Sequence, residues 1–132
     1  MGLVGIVEEF VNALCQRDKK KVLSYLTSDV VIEHPARPEG KIEGTAQFEG
    51  LIDGFFQWVE DGKVEVIRTV KSENTVWIER KDIWKIEGKW VDVPIVGIFE
   101  FGEDKISRWV EYLDFGYMNQ FKTRPGDNLH KK

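Results

Sequence analysis

The chain has 132 residues, a net charge of −4 and a single cysteine, Cys15. This length suits one domain with one core, and 42% apolar with 32% charged residues is typical of a globular protein. The acidic balance without a basic stripe argues against nucleic-acid binding. No apolar run reaches the roughly 20 residues of a membrane-spanning helix, so no membrane partner is expected. One cysteine excludes an intrachain disulfide, and the absence of a recognisable secretion signal adds to a prediction of a cytoplasmic protein.

The first half of the chain has the apolar spacing of helices. A first helix is predicted where apolar residues recur every three or four positions, at Leu3, Ile6, Val7, Phe10, Val11 and Leu14. Asp18 can cap a second, short helix, and a strand is predicted over residues 29–34. After a loop with two prolines, Thr45 is predicted to cap a third helix, which stops near Gly62.

After Gly62 the apolar residues alternate with polar ones, which is the period of a strand. Four strands are predicted, over residues 63–70, 75–86, 89–101 and 105–115, and they are joined by short turns. Helices followed by a meander of strands indicate an α+β fold. We therefore expect one domain over residues 1–132, in which three N-terminal helices pack on a strongly curved mixed β-sheet that encloses an apolar pocket. Residues from about 123 to 132 are predicted to form a flexible tail, and Pro94 and Gly97 predict a bulge or bend in their strand.

The strand over residues 75–86 places charges where apolar residues are expected. Alternation puts Arg80 and Asp82 on the same face as Val76, Ile78 and Trp84. Buried charges are costly unless they are paired or used. The first strand likewise puts His34 in line with Ile32, and the last strand puts Asp114 in line with Ile106, Arg108, Val110 and Tyr112.

Arg80, Asp82 and Asp114 would form an acid/base cluster if they met inside the pocket. Two carboxylates and one guanidinium carry a net charge of −1, which a cavity of low dielectric disfavours. One shared proton would make the cluster neutral and would leave one acid and one base at neutral pH. The planar fork of arginine is suited to bridging two carboxylates.

Two stretches of this sequence resemble a known family. Residues 79–82, ERKD, match a Glu-Arg-x-Asp-like strand, and residues 109–114, WVEYLD, match a Trp-x-Asp-Tyr-Phe-Asp-like final strand. Both patterns are typical of the limonene-1,2-epoxide hydrolase family, which lies within the SnoaL-like, nuclear-transport-factor-2-like superfamily. The resemblance in the order of helices and strands extends over nearly the whole chain. The resemblance implies a cone-shaped, cystatin-like α+β fold and a hydrolase that adds water to a small apolar epoxide in one step. By that resemblance Asp114 would be the general base, Asp82 the acid and Arg80 the bridge between them.

The first strand departs from the pattern of that family. The family holds the reacting water with a tyrosine and an asparagine, and their positions fall on Ile32 and His34 here. Isoleucine cannot hold water, whereas the imidazole of His34 can replace the amide or act as a base. His34 therefore joins the predicted catalytic set. The arginine that usually follows the final-strand tryptophan is Val110 in this sequence.

The same faces of the strands predict the surroundings of the site. The expected substrate pocket is lined by Ile32, Ile78, Trp84, Val110 and Tyr112. The two histidines, His34 and His130, do not have the spacing of a metal site, so no metal and no other cofactor is expected. The expected partner is a small apolar molecule. Trp77 and Ile83 on the outer face of the sheet predict burial against a second copy, in a homodimer.

Other interpretations remain open at this point. An isomerase or cyclase, like those of the same superfamily, would move a proton beside a carbonyl, and Ile32 favours this function because no water would need to be held. A non-catalytic domain would use the cavity to bind an apolar ligand, although three charges in the cavity favour an enzyme. In the plainest interpretation Arg80 and Asp82 are a surface ion pair, Asp114 caps the element after its strand and His34 is structural.

Overall fold

The computed structural model describes residues 2–127. Within this range the chain forms three α-helices, two short 3₁₀ helices, at Pro38–Gly40 and Phe115–Gln120, and six strands. The helices are α1 (Leu3–Cys15), α2 (Lys19–Ser24) and α3 (Thr45–Trp58). The strands are β1 (Leu26–Glu33), β2 (Ile42–Glu43), β3 (Asp61–Ser72), β4 (Thr75–Ile86), β5 (Lys89–Gly102) and β6 (Lys105–Tyr112).

The strands form one curved, mixed sheet in the order β2-β1-β6-β5-β4-β3. Strands β3 to β6 are consecutive antiparallel hairpins, whereas β1 lies parallel to β6. The predicted α+β fold, with helices first and a meander after them, is confirmed. No helix in the described part of the chain combines the length and the apolar character needed to cross a membrane.

The helices follow the predicted pattern except at the start of α3. The apolar stripe of α1 is buried, and the side chain of Asp18 caps α2 by accepting a hydrogen bond from the backbone N–H of Lys21 at 3.2 Å. The N-cap of α3 is Gly44, whose φ of 92° favours glycine. Thr45, the predicted cap, instead donates its hydroxyl to the carbonyl of Thr27 at 2.7 Å. This bond ties the start of α3 to β1.

Burial in β4 alternates along the whole strand, as its sequence predicts. The inward side chains are buried, namely Val76, Ile78, Arg80, Asp82, Trp84 and Ile86. Trp77 on the opposite face is exposed. The neighbouring β5 stays in register with β4 from Lys89 to Glu100, so neither Pro94 nor Gly97 marks a bulge in this pairing. The closeness of Gly97 to the side chain of Arg80 explains that glycine instead.

A register shift between β5 and β6 reverses the face that the later residues of β6 present. Glu100 of β5 pairs with Arg108, but the next residue, Phe101, pairs with Ile106, so Ser107 is an extra residue. A β-bulge of this kind shifts the alternation by one position. Beyond Ser107, Trp109 and Glu111 face the interior.

Three of our predictions for β6 are therefore wrong. Neither Val110 nor Tyr112 lines the cavity: Val110 is buried outside its wall, and Tyr112 is 50% exposed. The strand ends at Tyr112, so Asp114 lies beyond it rather than within it.

The end of the described chain packs on the domain. Thr123 donates its hydroxyl to Glu87 Oε2 at 2.6 Å and accepts a hydrogen bond from Trp58 Nε1 at 3.1 Å. The rest of the predicted flexible tail, residues 128–132 with His130, lies outside the described residues.

Candidate active site

An apolar cavity of about 340 Å³ lies between the inner face of the sheet, α3 and the second 3₁₀ helix. This size is at the lower end of the range for small-molecule pockets, roughly 300–1,000 Å³. Most of its wall is apolar, and includes Ile32, Leu51, Ile52, Phe55, Ile95, Leu113 and Met118. The polar groups of its wall are few and convergent, as in ligand sites generally.

Arg80 joins two buried carboxylates in the wall of this cavity. Its Nε lies 3.0 Å from Asp82 Oδ1, and its Nη2 lies 2.8 Å from Glu111 Oε1. Arg80 is 2% exposed, and Asp82 and Glu111 are each 3% exposed. Trp109 Nε1 donates a further hydrogen bond to Glu111 Oε1. The charges on the apolar face of β4 are thus paired inside the protein, and the surface ion-pair interpretation is wrong.

Gly97 makes room for the head of the arginine. A Cβ at this position would lie 2.8 Å from Arg80 Nη1 and 2.9 Å from the Phe99 ring. Both distances are shorter than real Cβ contacts, so a larger residue would push Arg80 away from its partners. The close approach of Arg80 and Phe99 explains why this strand position is a glycine.

The charges of the cluster explain how its groups titrate. Burial raises the pKa of Glu111 above the ordinary 4.5, although Arg80 opposes that rise. Burial acts to lower the pKa of Arg80, but the carboxylates of Glu111 and Asp82 outweigh it, so the guanidinium stays charged. Two carboxylates against one cation leave one negative charge in an apolar wall, and the raised pKa of Glu111 is the response expected of such a cluster. The pair of carboxyl groups can therefore share one proton.

His34 and Glu111 are the residues that follow the last pair of the parallel β1–β6 ladder, Glu33 and Val110. Both side chains line the cavity. Burial, and then the positive charge of Arg37, lower the pKa of His34 below the ordinary 6.5. His34 is therefore neutral at pH 7 and can accept or donate a hydrogen bond.

The structure separates the predicted site residues into two groups. Arg80, Asp82, His34, Ile32 and Trp84 line the cavity. Ile78 is buried in the core beneath it and is not part of its wall.

The predicted base, Asp114, is not in the cavity. It is exposed, and its Oδ1 accepts a hydrogen bond from the backbone N–H of Gly116 at 2.7 Å. Asp114 caps the second 3₁₀ helix, in agreement with the interpretation that it caps the element after its strand.

Glu111 and Tyr117 are among the residues of the cavity wall that sequence reasoning missed. Glu111 stands two residues after Trp109, at the first acidic position of the Trp-x-Asp-Tyr-Phe-Asp-like pattern, and that spacing was a usable signal. Tyr117 comes from the second 3₁₀ helix, and burial raises the pKa of its hydroxyl, which stays protonated. No strand or helix period points to Tyr117.

The SnoaL-like domain family matches residues 7–109, which is most of the chain. The chain belongs to the SnoaL-like domain family. This SnoaL-like protein is similar to an LEH-like epoxide hydrolase from M. tuberculosis, with 27% identity and a TM-score of 0.77 over 89% of this chain and 86% of that one.

Two further likenesses of the SnoaL-like protein show the fold alone. An NTF2-like protein from Burkholderia pseudomallei K96243 has 18% identity and a TM-score of 0.80, over 94% of this chain and 100% of that one. A protein with a ketosteroid isomerase-like fold from Catenulispora acidiphila DSM 44928 has 17% identity and a TM-score of 0.74, over 84% and 86%.

Proposed function

We propose that this protein is an epoxide hydrolase that adds water to a small apolar epoxide in one acid/base step. The observation that carries the proposal is the buried Arg80–Asp82–Glu111 cluster in the wall of an apolar cavity. A passive apolar binder has no use for three buried charges, which are costly to desolvate. The 27% identity with the LEH-like epoxide hydrolase supports the same chemistry.

Glu111 is the proposed base and Asp82 the proposed acid. Glu111 and His34 line the same cavity and follow the same pair of the β1–β6 ladder, and we place the reacting water between them. With the shared proton on Asp82, Glu111 is ionised, and its raised pKa makes it a stronger proton acceptor. Asp82 then gives the shared proton to the epoxide oxygen as the carbon–oxygen bond breaks and water adds to the carbon. Arg80 holds both carboxyl groups in place and stays charged throughout.

The direct test is turnover of a panel of small apolar epoxides in isotopically labelled water. We expect diol formation, with solvent oxygen in the diol even in a single turnover with enzyme in excess. Unlabelled diol in the first turnover would show an ester between substrate and protein and would exclude the one-step mechanism. The absence of diol from every epoxide would exclude the function.

His34 is proposed to hold the reacting water. Its protonation would add positive charge beside the carboxylates, favour their ionised forms and remove the acid. Because the pKa of His34 is lowered from the ordinary 6.5, we expect the midpoint of this loss of activity to lie below pH 6.5. His34→Asn should keep the hydrogen bond to the water. In this variant the decline in rate at low pH should follow protonation of the carboxylates alone. An unchanged rate and pH profile in His34→Ala would show that His34 is structural.

An isomerase is the second candidate, and Ile32 favours it. This side chain lines the cavity next to His34 and offers no hydrogen bond to water. A proton shift beside a carbonyl needs a base and a hydrogen-bond donor but no bound water. Ketones with an isomerisable double bond belong in the same panel of substrates, since conversion of these without diol formation would select the second candidate.

We also propose that two copies pair through the outer face of the sheet. Exposed apolar side chains on this side of the strands include Val70, Trp77, Val96 and Tyr112. Apolar surface of this kind is typical of subunit interfaces. Light scattering of the purified protein should give twice the chain mass of 15.3 kDa, and a monomer mass would contradict the pairing.

A further inference from the structure

Arg37 stands at the mouth of the cavity and is held there. Its residue is exposed, but its guanidinium lies 4.1 Å from the centre of the Phe115 ring, which also lines the cavity. The backbone around it forms tight turns, since Arg37 N–H donates to the His34 carbonyl at 2.7 Å and its own carbonyl accepts from Gly40 at 2.9 Å. The backbone turns and the ring contact therefore position the guanidinium before any ligand binds.

The guanidinium of Arg37 has no anionic or carbonyl partner within residues 2–127. In that range each of the other five arginines contacts a carboxylate or a backbone carbonyl: Arg17, Arg68, Arg80, Arg108 and Arg124. Arg37 thus presents its N–H donors to whatever enters the cavity. Cation–aromatic contact fixes its plane without using those donors.

The charges of the cavity wall are unbalanced at this end. Arg80 and Arg37 are its two permanent cations, and Arg80 is paired with both Asp82 and Glu111. Burial and the charge of Arg37 together keep His34 neutral. Among the described residues, Arg37 is therefore the one cation of the cavity wall that has no carboxylate partner.

We propose that the ligand of this cavity is an apolar molecule with a carboxylate at one end, which Arg37 binds at the mouth. The fork of an arginine matches the two oxygens of a carboxylate. One cation balances a monoanion, whereas a phosphate would bring excess negative charge towards Asp82 and Glu111. The far end of the ligand reaches the Arg80–Asp82–Glu111 cluster. The identity of the substrate rests in addition on the proposed function. For an epoxide hydrolase, such a ligand is an epoxide of an unsaturated carboxylic acid.

The test compares binding of octanoate with that of octanamide and octyl phosphate to the full chain. Trp84 and Trp109 line the cavity, so their fluorescence reports binding without turnover. We expect octanoate to bind about fivefold more tightly than octanamide, the size typical of one partly exposed charge contact, and the preference to shrink as salt is added. Arg37→Gln should abolish the preference and leave octanamide binding unchanged.

Arg68→Gln is the matched control, because it removes an arginine that pairs with Glu79 away from the cavity. It should keep the preference for octanoate. Equal binding of acid and amide, tightest binding of the phosphate, an equal loss in both variants, or no binding of octanoate would each overturn the proposal. Since binding is read without chemistry, a preference for octanoate without diol formation would exclude the proposed hydrolase alone. Diol formation without that preference would exclude only the carboxylate.

Discussion

We expect Glu111→Gln to remove nearly all turnover and Asp114→Asn to leave it nearly unchanged. Loss of a general base typically lowers the rate by about 10²–10⁴-fold. Glutamine has the shape of glutamate and can still accept the hydrogen bonds from Arg80 and Trp109, but it cannot take a proton from water. Asparagine at position 114 can keep the capping bond to Gly116, far from the chemistry.

The measurement is the rate of diol formation from any accepted epoxide, with both variants shown to be folded by circular dichroism. Asp82→Asn belongs in the same series and should also remove turnover, because acid and base act in one step. The opposite pattern, an active Glu111→Gln and an inactive Asp114→Asn, would return the base to the position that the sequence alone suggested.

The pH dependence of the free energy of unfolding gives an independent test of the raised pKa of Glu111. Burial raises the pKa of Glu111 in the folded state, so the folded protein binds more protons at this residue than the unfolded chain. Its contribution to stability is therefore complete below its ordinary pKa of 4.5 and is lost as the pH rises through the folded pKa. Glutamine does not titrate, so Glu111→Gln should gain in stability relative to the parent protein as the pH rises across that window. Urea unfolding at several pH values measures the difference.

We expect Gly97→Ala to disrupt the cluster without changing a charged residue. The added methyl group would lie 2.8 Å from Arg80 Nη1 and 2.9 Å from the Phe99 ring, and both are buried, so we expect the guanidinium to be displaced from its partners. Breaking a buried ion pair and crowding a packed interior together lower the free energy of unfolding by about 3 kcal/mol or more. We expect loss of turnover together with this loss of stability.

The loss of stability in Gly97→Ala should depend on pH. With Arg80 displaced, Asp82 and Glu111 would lie in an apolar wall without a cation, and their pKa values in the folded state would rise. The folded variant would then bind more protons than the unfolded chain, so the deficit should be largest at neutral and alkaline pH and shrink in acid.

Gly50→Ala is the matched control for this substitution. Gly50 is exposed in α3, and a Cβ there would meet nothing within 4 Å. Alanine should stabilise the helix by about 0.5–1 kcal/mol and leave the rate unchanged. A Gly97→Ala protein as stable and active as the parent would mean that Arg80 can shift at little expense and that its position is not critical.

Local patterns in the sequence were sufficient for most of the fold. The apolar spacing of α1, the capping residue Asp18 and the two-residue period of β4 each depend on neighbouring positions, and the structure follows them. The inward face of Arg80 and Asp82 came from the same local rule, because alternation holds wherever a strand is paired without interruption. The side chains of β4 alternate between the two faces of the sheet, and those on the face that the rest of the domain covers are buried.

What only the tertiary structure decided is which carboxylate joins them. The bulge at Ser107 arises where β6 pairs with β5, and its effect is to turn Trp109 and Glu111 inward and Tyr112 outward. One extra residue in a strand reverses every later side chain, and no local spacing in β6 indicates it. The likeness of residues 109–114 to a known final strand contained the position of Glu111, but two acidic residues in that stretch fit the pattern. Sequence alone therefore determined the fold, the arginine and one carboxylate, whereas pairing between distant strands determined the other carboxylate, because register is a property of two strands together.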